Sequence, residues 1–65
     1  MSQQHTTHLT PAHLALRWSV TAGHLANQRS AGIGPTYLKL GGRILYRLID
    51  IEAYEEQALV AGVSA

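Results

Sequence analysis

The chain has 65 residues, no cysteine and a formal net charge of +1. Its length allows one domain, which buries only about 60% of the unfolded surface and leaves no room for a deep enclosed active site. Without cysteine it forms neither disulfides nor a thiolate metal site. No apolar run approaches the ~20 residues that span a bilayer, and the start lacks the pattern of a signal peptide. We therefore expect a soluble cytoplasmic protein without membrane association.

The small net charge hides a complete separation of sign along the chain. All five basic residues precede residue 48, and all four acidic residues follow residue 49. An acid-free basic segment favours nucleic-acid binding, because phosphate contacts depend on the local field rather than on the total charge. Lopsided charge also occurs in small proteins that bind no nucleic acid, so charge alone leaves both interpretations open.

The first elements along the chain are a polar segment and a short helix. Residues 1–8 are unpatterned and predict a flexible N-terminal arm. Thr10 and Pro11 then indicate a helix start, because a threonine hydroxyl caps well and proline suits the first helical position. An apolar stripe that ends at Trp18 predicts helix 1 at about residues 11–18, with the tryptophan in the core.

A second helix follows after a short connection, Ser19-Val20-Thr21. Thr21 can cap this helix, and Gly32 can end it in the left-handed conformation. Two short helices joined by about three residues form the helix-turn-helix arrangement. Gly23 weakens the second helix by ~1 kcal/mol relative to alanine. The inner face of this helix is expected to carry Ala22, Leu25, Ala26 and Arg29.

Residues 36–47 carry the strongest strand signal, with two apolar runs around a Gly-Gly pair. A two-residue loop would place Leu40 opposite Arg43 and mix basic with apolar side chains on one face. A three-residue loop places Leu40 opposite Ile44 and leaves Arg43 at the hairpin tip. We predict the second register because it separates apolar from basic side chains. It turns inward Leu38, Leu40, Ile44 and Tyr46, and outward Tyr37, Lys39, Leu45 and Arg47.

The last helix is predicted over residues 50–59, where apolar residues recur at helical spacing. The acidic residues lie mainly in its first turns, where the helix dipole favours them. Tyr54 is expected to join the core, and residues 60–65 form a flexible tail. The chain is therefore predicted to be α+β and mainly α, with one folded domain over residues 9–59.

The order helix, turn, helix, two-stranded wing, helix resembles a known family. Residues 34–55, GPTYLKLGGRILYRLIDIEAYE, are similar to the wing and closing helix of small winged helix-turn-helix excisionases of phages and mobile elements. Residues 9–29, LTPAHLALRWSVTAGHLANQR, resemble the helix-turn-helix of that family, which is related to MerR-type and AlpA-like DNA-binding domains. The family often has tryptophan where this chain has Gln28. It usually has a polar cap where this chain has Ile49, which leaves Asp50 to cap the last helix.

The resemblance implies that the second helix enters the major groove of DNA and that the wing reaches a minor groove or phosphate. Asn27 and Gln28, on the exposed face of that helix, can pair with adenine. Arg43 at the wing tip suits a narrow minor groove. The predicted DNA-binding positions are Thr21, Gly23, His24, Asn27, Gln28, Arg29, Lys39, Gly41, Gly42, Arg43 and Arg47.

Several basic residues have more specific expected roles. Lys39 and Arg47 are expected to contact phosphate, which positions a protein without reading sequence. Arg29 either meets the DNA backbone or pairs with an acid of the last helix. Arg17 is expected to be a solvated charge or a phosphate contact. Tyr37 is expected to face outward.

The implied function is that of an excisionase, or recombination directionality factor. Such a protein binds cooperatively to an attachment site and bends double-stranded DNA, so that a tyrosine recombinase (integrase) excises the mobile element. The opposite charges of the two ends suggest head-to-tail self-association on DNA. The alternatives are an AlpA-like transcriptional regulator and, in a different class, a protein-interaction or antitoxin-like module.

Neither an enzyme nor a metalloprotein is expected. The acidic residues lie on one helix with no catalytic partner, and the four histidines show no zinc-ligand spacing. We therefore expect no cofactor, and a cytoplasmic protein that associates with the nucleoid when bound to DNA.

Overall fold

The computed structural model describes residues 7–60, which form three α-helices and a three-stranded antiparallel sheet. The elements are β1 (His8–Leu9), α1 (Pro11–Trp18), α2 (Ala22–Ala31), β2 (Leu38–Leu40), β3 (Arg43–Arg47) and α3 (Leu48–Ala58). The strand order is β1-β3-β2. The described part is thus α+β, as predicted. Residues 1–6 and 61–65, which make up most of the expected arm and tail, lie outside the described residues.

Threonine caps start both of the first two helices. The Thr10 hydroxyl accepts a hydrogen bond from the His13 N–H at 3.1 Å, and the Thr21 hydroxyl accepts one from the His24 N–H at 3.0 Å. Each bond satisfies a backbone donor that the first helical turn leaves free. Ser19 ends α1 in the left-handed conformation, with φ 59°. The predicted bounds of helix 1 and the three-residue connection are confirmed.

Gly32 ends α2, as the sequence predicts. Its φ of 77° is left-handed, and its N–H donates to the Arg29 carbonyl at 3.1 Å. The Ile33 N–H donates to the Gln28 carbonyl at 3.0 Å, which satisfies a second carbonyl at the helix end. The chain therefore leaves α2 sharply and runs toward the hairpin.

The predicted hairpin register is wrong by one residue. Leu40 pairs with Arg43, so the loop contains only Gly41 and Gly42. These glycines have φ 56° and 84°, and two consecutive positive values define the type I′ turn. The backbone twist of a type I′ turn matches the right-handed twist of the strands that it joins. This preference decides the register, although the other register would separate apolar from basic side chains. Arg43 consequently opens β3 beside the turn instead of occupying the tip.

The observed register redistributes the side chains of the hairpin. Lys39 lies opposite Ile44, on the face that also carries Tyr46. Ile44 and Tyr46 pack in or against the core as predicted, whereas Leu40 is 54% exposed. The prediction that Leu38 and Leu40 face inward with them, and that Lys39 lies on the opposite face, is wrong. The other face of the hairpin carries Leu38, Leu40, Arg43, Leu45 and Arg47.

A short strand that the sequence did not predict covers the second edge of β3. His8 pairs with Arg47, and Leu9 pairs with Tyr46. The Leu48 N–H also donates to the carbonyl of residue 7 at 2.8 Å. Residues 7 and 8 therefore belong to the folded part, and the predicted arm over residues 1–8 is wrong for these two positions.

The last helix starts two residues earlier than predicted and ends at Ala58. Arg47 occupies its N-cap position without a capping side-chain hydrogen bond. Asp50 lies in the first turn and accepts two hydrogen bonds from the Arg47 side chain, at 2.6 and 3.1 Å. The expectation that Asp50 caps the helix is wrong. The backbone does part of the capping instead, because the carbonyl of residue 7 accepts a hydrogen bond from the Leu48 N–H at the start of the helix.

The core lies where the helices meet β3. The buried residues that form the hydrophobic cluster are Leu14, Ala15, Leu25, Tyr46 and Ile51. Trp18 packs against this cluster and remains partly buried, and its ring stacks on Tyr54 with centroids 5.6 Å apart. Trp18 and Tyr54, both predicted for the core, therefore lie at its edge, while Tyr46, predicted to face inward, is 1% exposed and lies at its centre.

Candidate nucleic-acid interface

Arg17 is paired with an acid of α3 and is not a free surface charge. Its Nε donates to Oε2 of Glu55 at 2.7 Å, and its Nη2 donates to Oε1 at 2.8 Å. This hydrogen bonding raises the pKa of Arg17 above its ordinary value. The bidentate pair offsets the charge of Arg17 within the protein, so Arg17 is not an unpaired surface charge, while the alternative of a phosphate contact stays a prediction.

Glu55 accepts a third hydrogen bond, from the indole of Trp18. The Trp18 Nε1 lies 2.6 Å from Oε2 of Glu55. The hydrogen bonds from Arg17 and then from Trp18 lower the pKa of Glu55 from its ordinary value of 4.5 to about 2. The carboxylate is thus held ionised between α1 and α3.

The charge of Arg47 is offset in the same way, by an acid three residues later in the chain. The two hydrogen bonds to Asp50 raise the pKa of Arg47. Arg47 was predicted to contact phosphate, but the structure gives its guanidinium a carboxylate partner inside the protein. Its positive charge is therefore largely compensated.

The other three basic residues have no acidic partner among residues 7–60. They are Arg29 near the end of α2, Lys39 on β2 and Arg43 at the start of β3. All four acidic residues of the chain lie on α3. The uncompensated positive charge is therefore confined to α2 and the hairpin.

Arg29 is held by two tyrosines instead of an acid. Its Nη1 donates to the Tyr46 hydroxyl at 2.7 Å. The guanidinium carbon lies 5.7 Å from the ring centre of Tyr37 and 6.0 Å from that of Tyr46, distances at which a cation is attracted to an aromatic face. Of the two roles considered for Arg29, pairing with an acid of α3 is not observed.

An open groove of about 430 Å³ separates α2 from the hairpin. Arg29 and Lys39 both line it, and no acid does. Tyr37, predicted to face outward, borders the groove and is 39% exposed. The complete lining is Ala26, Arg29, Ser30, Tyr37, Lys39, Gly42 and Ile44.

The hairpin tip is bare and flanked by positive charge. A Cβ atom placed on Gly41 or Gly42 would meet nothing within 4 Å. Lys39 and Arg43, both exposed, lie on opposite faces of the hairpin next to this turn. The tip is therefore a narrow projection with one cation on each side.

The outer face of α2 is polar and open. Gly23, His24 and Asn27 are all exposed, and their spacing places them on one side of the helix. Thr21 precedes them, and its hydroxyl already accepts the His24 N–H. A Cβ on Gly23 would lie 3.8 Å from the Thr21 hydroxyl, an ordinary contact. The structure thus brings three of the predicted DNA-binding positions together on one face, with Thr21 at the N-cap before them.

Gln28 does not belong to that face, and its predicted exposure is wrong. It lies three residues after the buried Leu25 and is itself half-buried. It borders a groove of about 470 Å³ together with Trp18, Tyr54, Glu55, Ala58, Leu59 and Val60. Its Oε1 is buried and has no hydrogen-bond partner in the structure. The sequence signal for an inward-facing side chain was the spacing, because residues three apart lie on neighbouring positions of a helix surface and Gln28 follows Leu25 by three.

Two further properties concern only the described part of the chain. Residues 7–60 contain no group of three or more His, Cys, Asp or Glu side chains placed to hold a metal ion. None of the helices described there combines the length and apolar character needed to cross a membrane. His5, one of the four histidines, lies outside the described residues.

Comparison of the chain with protein-family models, with curated proteins and with solved structures finds no match.

Proposed function

We propose that this chain is a sequence-specific DNA-binding protein of the winged helix-turn-helix class. In this proposal α2 enters the major groove and the β2–β3 hairpin is the wing. One observation carries it: α3 offsets two arginines, and the three remaining cations all lie on α2 and the hairpin. A positive field confined to one helix and one hairpin of a small domain suits the phosphate backbone of a duplex.

The exposed face of α2 supplies the proposed contacts to bases. The Asn27 amide can donate to and accept from the edge of an adenine. Gly23 carries no side chain, which allows the helix start to approach the DNA backbone closely. His24 stands between them and offers a ring nitrogen to a base or a phosphate.

The hairpin supplies the proposed wing contacts. The sugar-phosphate strands of a minor groove lie on both sides of any inserted projection. Lys39 and Arg43 flank the bare Gly41-Gly42 turn on opposite faces, which places one cation toward each strand. Arg47 is left out of this set because Asp50 offsets its charge.

The finer proposal is an excisionase that helps a tyrosine recombinase remove a mobile element from its attachment site. Its support is the resemblance of residues 9–29 and 34–55 to that family. A single small module buries only roughly 600–1,000 Å² on DNA, so adjacent copies that bind cooperatively and bend the duplex would supply the missing affinity. The protein would then act in the cytoplasm, on the nucleoid.

Contacts between neighbouring copies would use the acids that the fold leaves free. Asp50 and Glu55 are engaged within the protein, whereas Glu52 and Glu56 are exposed and one helical turn apart. We expect Glu52→Gln with Glu56→Gln to weaken cooperative binding to adjacent sites. Unchanged cooperativity in a gel-shift titration would rule out a charge-based head-to-tail contact.

The test of DNA reading is a selection of duplexes from a random pool, followed by two matched variants. We expect an enriched sequence, and Asn27→Ala should lose ~1–3 kcal/mol of discrimination at one adenine. Gln28→Ala should leave the sequence preference unchanged, because the Gln28 amide faces the protein. Failure to enrich any sequence, with no duplex bound at low salt, would overturn the proposal and favour a protein partner.

A further inference from the structure

The groove between α2 and the hairpin contains a cation that is fixed without being neutralised. Arg17 and Arg47 are each fixed by a carboxylate, which offsets their charge. Arg29 is fixed by the hydroxyl of Tyr46, a neutral acceptor. A half-buried guanidinium without a counter-charge has lost part of its hydration, which costs free energy. A bound anion would offset that cost.

The geometry leaves most donors of Arg29 free for such an anion. A guanidinium carries five N–H donors in a planar fork, and the bond to Tyr46 is its only hydrogen bond within residues 7–60. The Tyr37 and Tyr46 rings, both about 6 Å away, limit where the fork can lie. The side chain is therefore oriented before any ligand arrives.

Two further groups complete a site around this fork. Lys39 lines the same groove and supplies a second positive charge, while Ser30 borders it with a hydroxyl. The groove holds about 430 Å³, ample for one tetrahedral anion. Charge-assisted hydrogen bonds from a planar guanidinium match the paired oxygens of a phosphate.

We infer that this groove binds a single phosphate group, with Arg29 and Lys39 as its ligands and Tyr46 as the residue that positions Arg29. That the phosphate belongs to a DNA backbone rests on the proposed function. The site itself rests on the groove and its side chains. It would clamp one phosphate between α2 and the wing and so set the orientation of both elements on a duplex.

The first test uses inorganic phosphate and needs no DNA. Phosphate is titrated at constant ionic strength against chloride while NMR follows the ¹H–¹⁵N resonances of the arginine Nε groups and of the backbone amides. We expect a saturable shift at Arg29 and Lys39, weakened about fivefold or more by Tyr46→Phe, since one charge-assisted hydrogen bond is lost. Tyr54→Phe is the matched control, because that phenol lies against Trp18 and not in the groove.

Lys39→Gln is the second variant, since Lys39 is exposed and its replacement does not disturb the core. It should also weaken phosphate binding about fivefold, by loss of one of two charges. Shifts that do not saturate, or that are equally large at Arg43, would overturn the inference. So would phosphate affinity that is unchanged in both Tyr46→Phe and Lys39→Gln.

Duplex binding by the same variants separates the two proposals. If phosphate saturates the groove and Arg29→Gln weakens duplex binding, the site serves the DNA backbone. If phosphate saturates the groove but the protein binds no duplex, the proposed function fails. The phosphate site is then retained, and its phosphate comes from a molecule other than DNA. If duplex binding is strong and Arg29→Gln leaves it unchanged, the assignment of this groove to the DNA backbone is overturned.

Discussion

The guanidinium of Arg17 and the carboxylate of Glu55 join α1 to α3 through two hydrogen bonds of 2.7 and 2.8 Å. The two residues are 38 positions apart in the chain. Trp18 adds a third bond to the same carboxylate. This cluster fastens the last helix to the first, and it also removes one cation and one anion from the surface field.

The cluster predicts a specific dependence of stability on pH. The pKa of Glu55 is lowered from 4.5 to about 2 in the folded protein. A carboxyl whose pKa falls on folding stabilises the protein fully above its unfolded pKa and loses that contribution as pH falls through the folded pKa. The free energy of unfolding should therefore decline from about pH 5 toward pH 2. Urea denaturation at a series of pH values measures this decline.

Glu55→Gln should remove much of that decline, because glutamine does not titrate. Glu56→Gln is the matched control, since Glu56 is the adjacent exposed glutamate and its side chain makes no hydrogen bond or ion pair within residues 7–60. It should keep the acid limb of the wild type. An acid limb that is equally steep in Glu55→Gln would contradict the structural role of the cluster.

Gln28 offers a stabilising substitution. Its buried Oε1 lacks a donor, and an unsatisfied buried polar atom costs about 1–3 kcal/mol. Gln28→Met has a similar length and no polar atom, so it should raise the free energy of unfolding by about 1 kcal/mol. Asn27→Met, on the exposed face, is the control and should change it by less than about 0.5 kcal/mol. A loss of stability in Gln28→Met would show that the amide has a partner after all.

The helices could be predicted from local chemistry, because their ends depend on neighbouring residues. Thr10, Thr21 and Gly32 each satisfy backbone groups within four positions, so the sequence carries the whole signal. The hairpin register could not be predicted from the pattern of apolar residues. There the turn geometry of Gly41 and Gly42 opposes that pattern and prevails.

That turn gives a prediction of its own. Gly42 has φ 84° with open space around it, so Gly42→Ala meets no clash but adopts a strained backbone. It should lower the free energy of unfolding by about 1 kcal/mol. Gly41→Asn should change it by less than about 0.5 kcal/mol, since Asn-Gly is a preferred type I′ pair. Thermal unfolding compares the two; an equal loss in both would contradict the observed register.

The candidate site was only partly visible in the sequence. The separation of charge along the chain hid two ion pairs. Arg17 and Glu55 are 38 positions apart and meet only after folding, and Arg47 and Asp50 lie on either side of the boundary between the basic and acidic segments. Strand β1 was missed because two residues, His8 and Leu9, are too few to show alternation. The pairing of Arg29 with Tyr46 likewise depends on tertiary contacts that no local pattern encodes.

The proposed function requires that the uncompensated cations of α2 and the hairpin bind the DNA backbone. The most direct measurement is the affinity for a short mixed-sequence duplex across a salt series, for the wild type, Arg43→Ala and Gln57→Glu. The last is exposed on α3 and changes the net charge by the same amount as Arg43→Ala. With three phosphates neutralised per copy, the slope of log binding constant against log salt concentration should be about −2.7 for the wild type. The slope should become shallower, about −1.8, in Arg43→Ala and should stay near the wild-type value in Gln57→Glu. A slope near zero for the wild type, or an equal loss of duplex affinity in Arg43→Ala and Gln57→Glu, would contradict the proposed function.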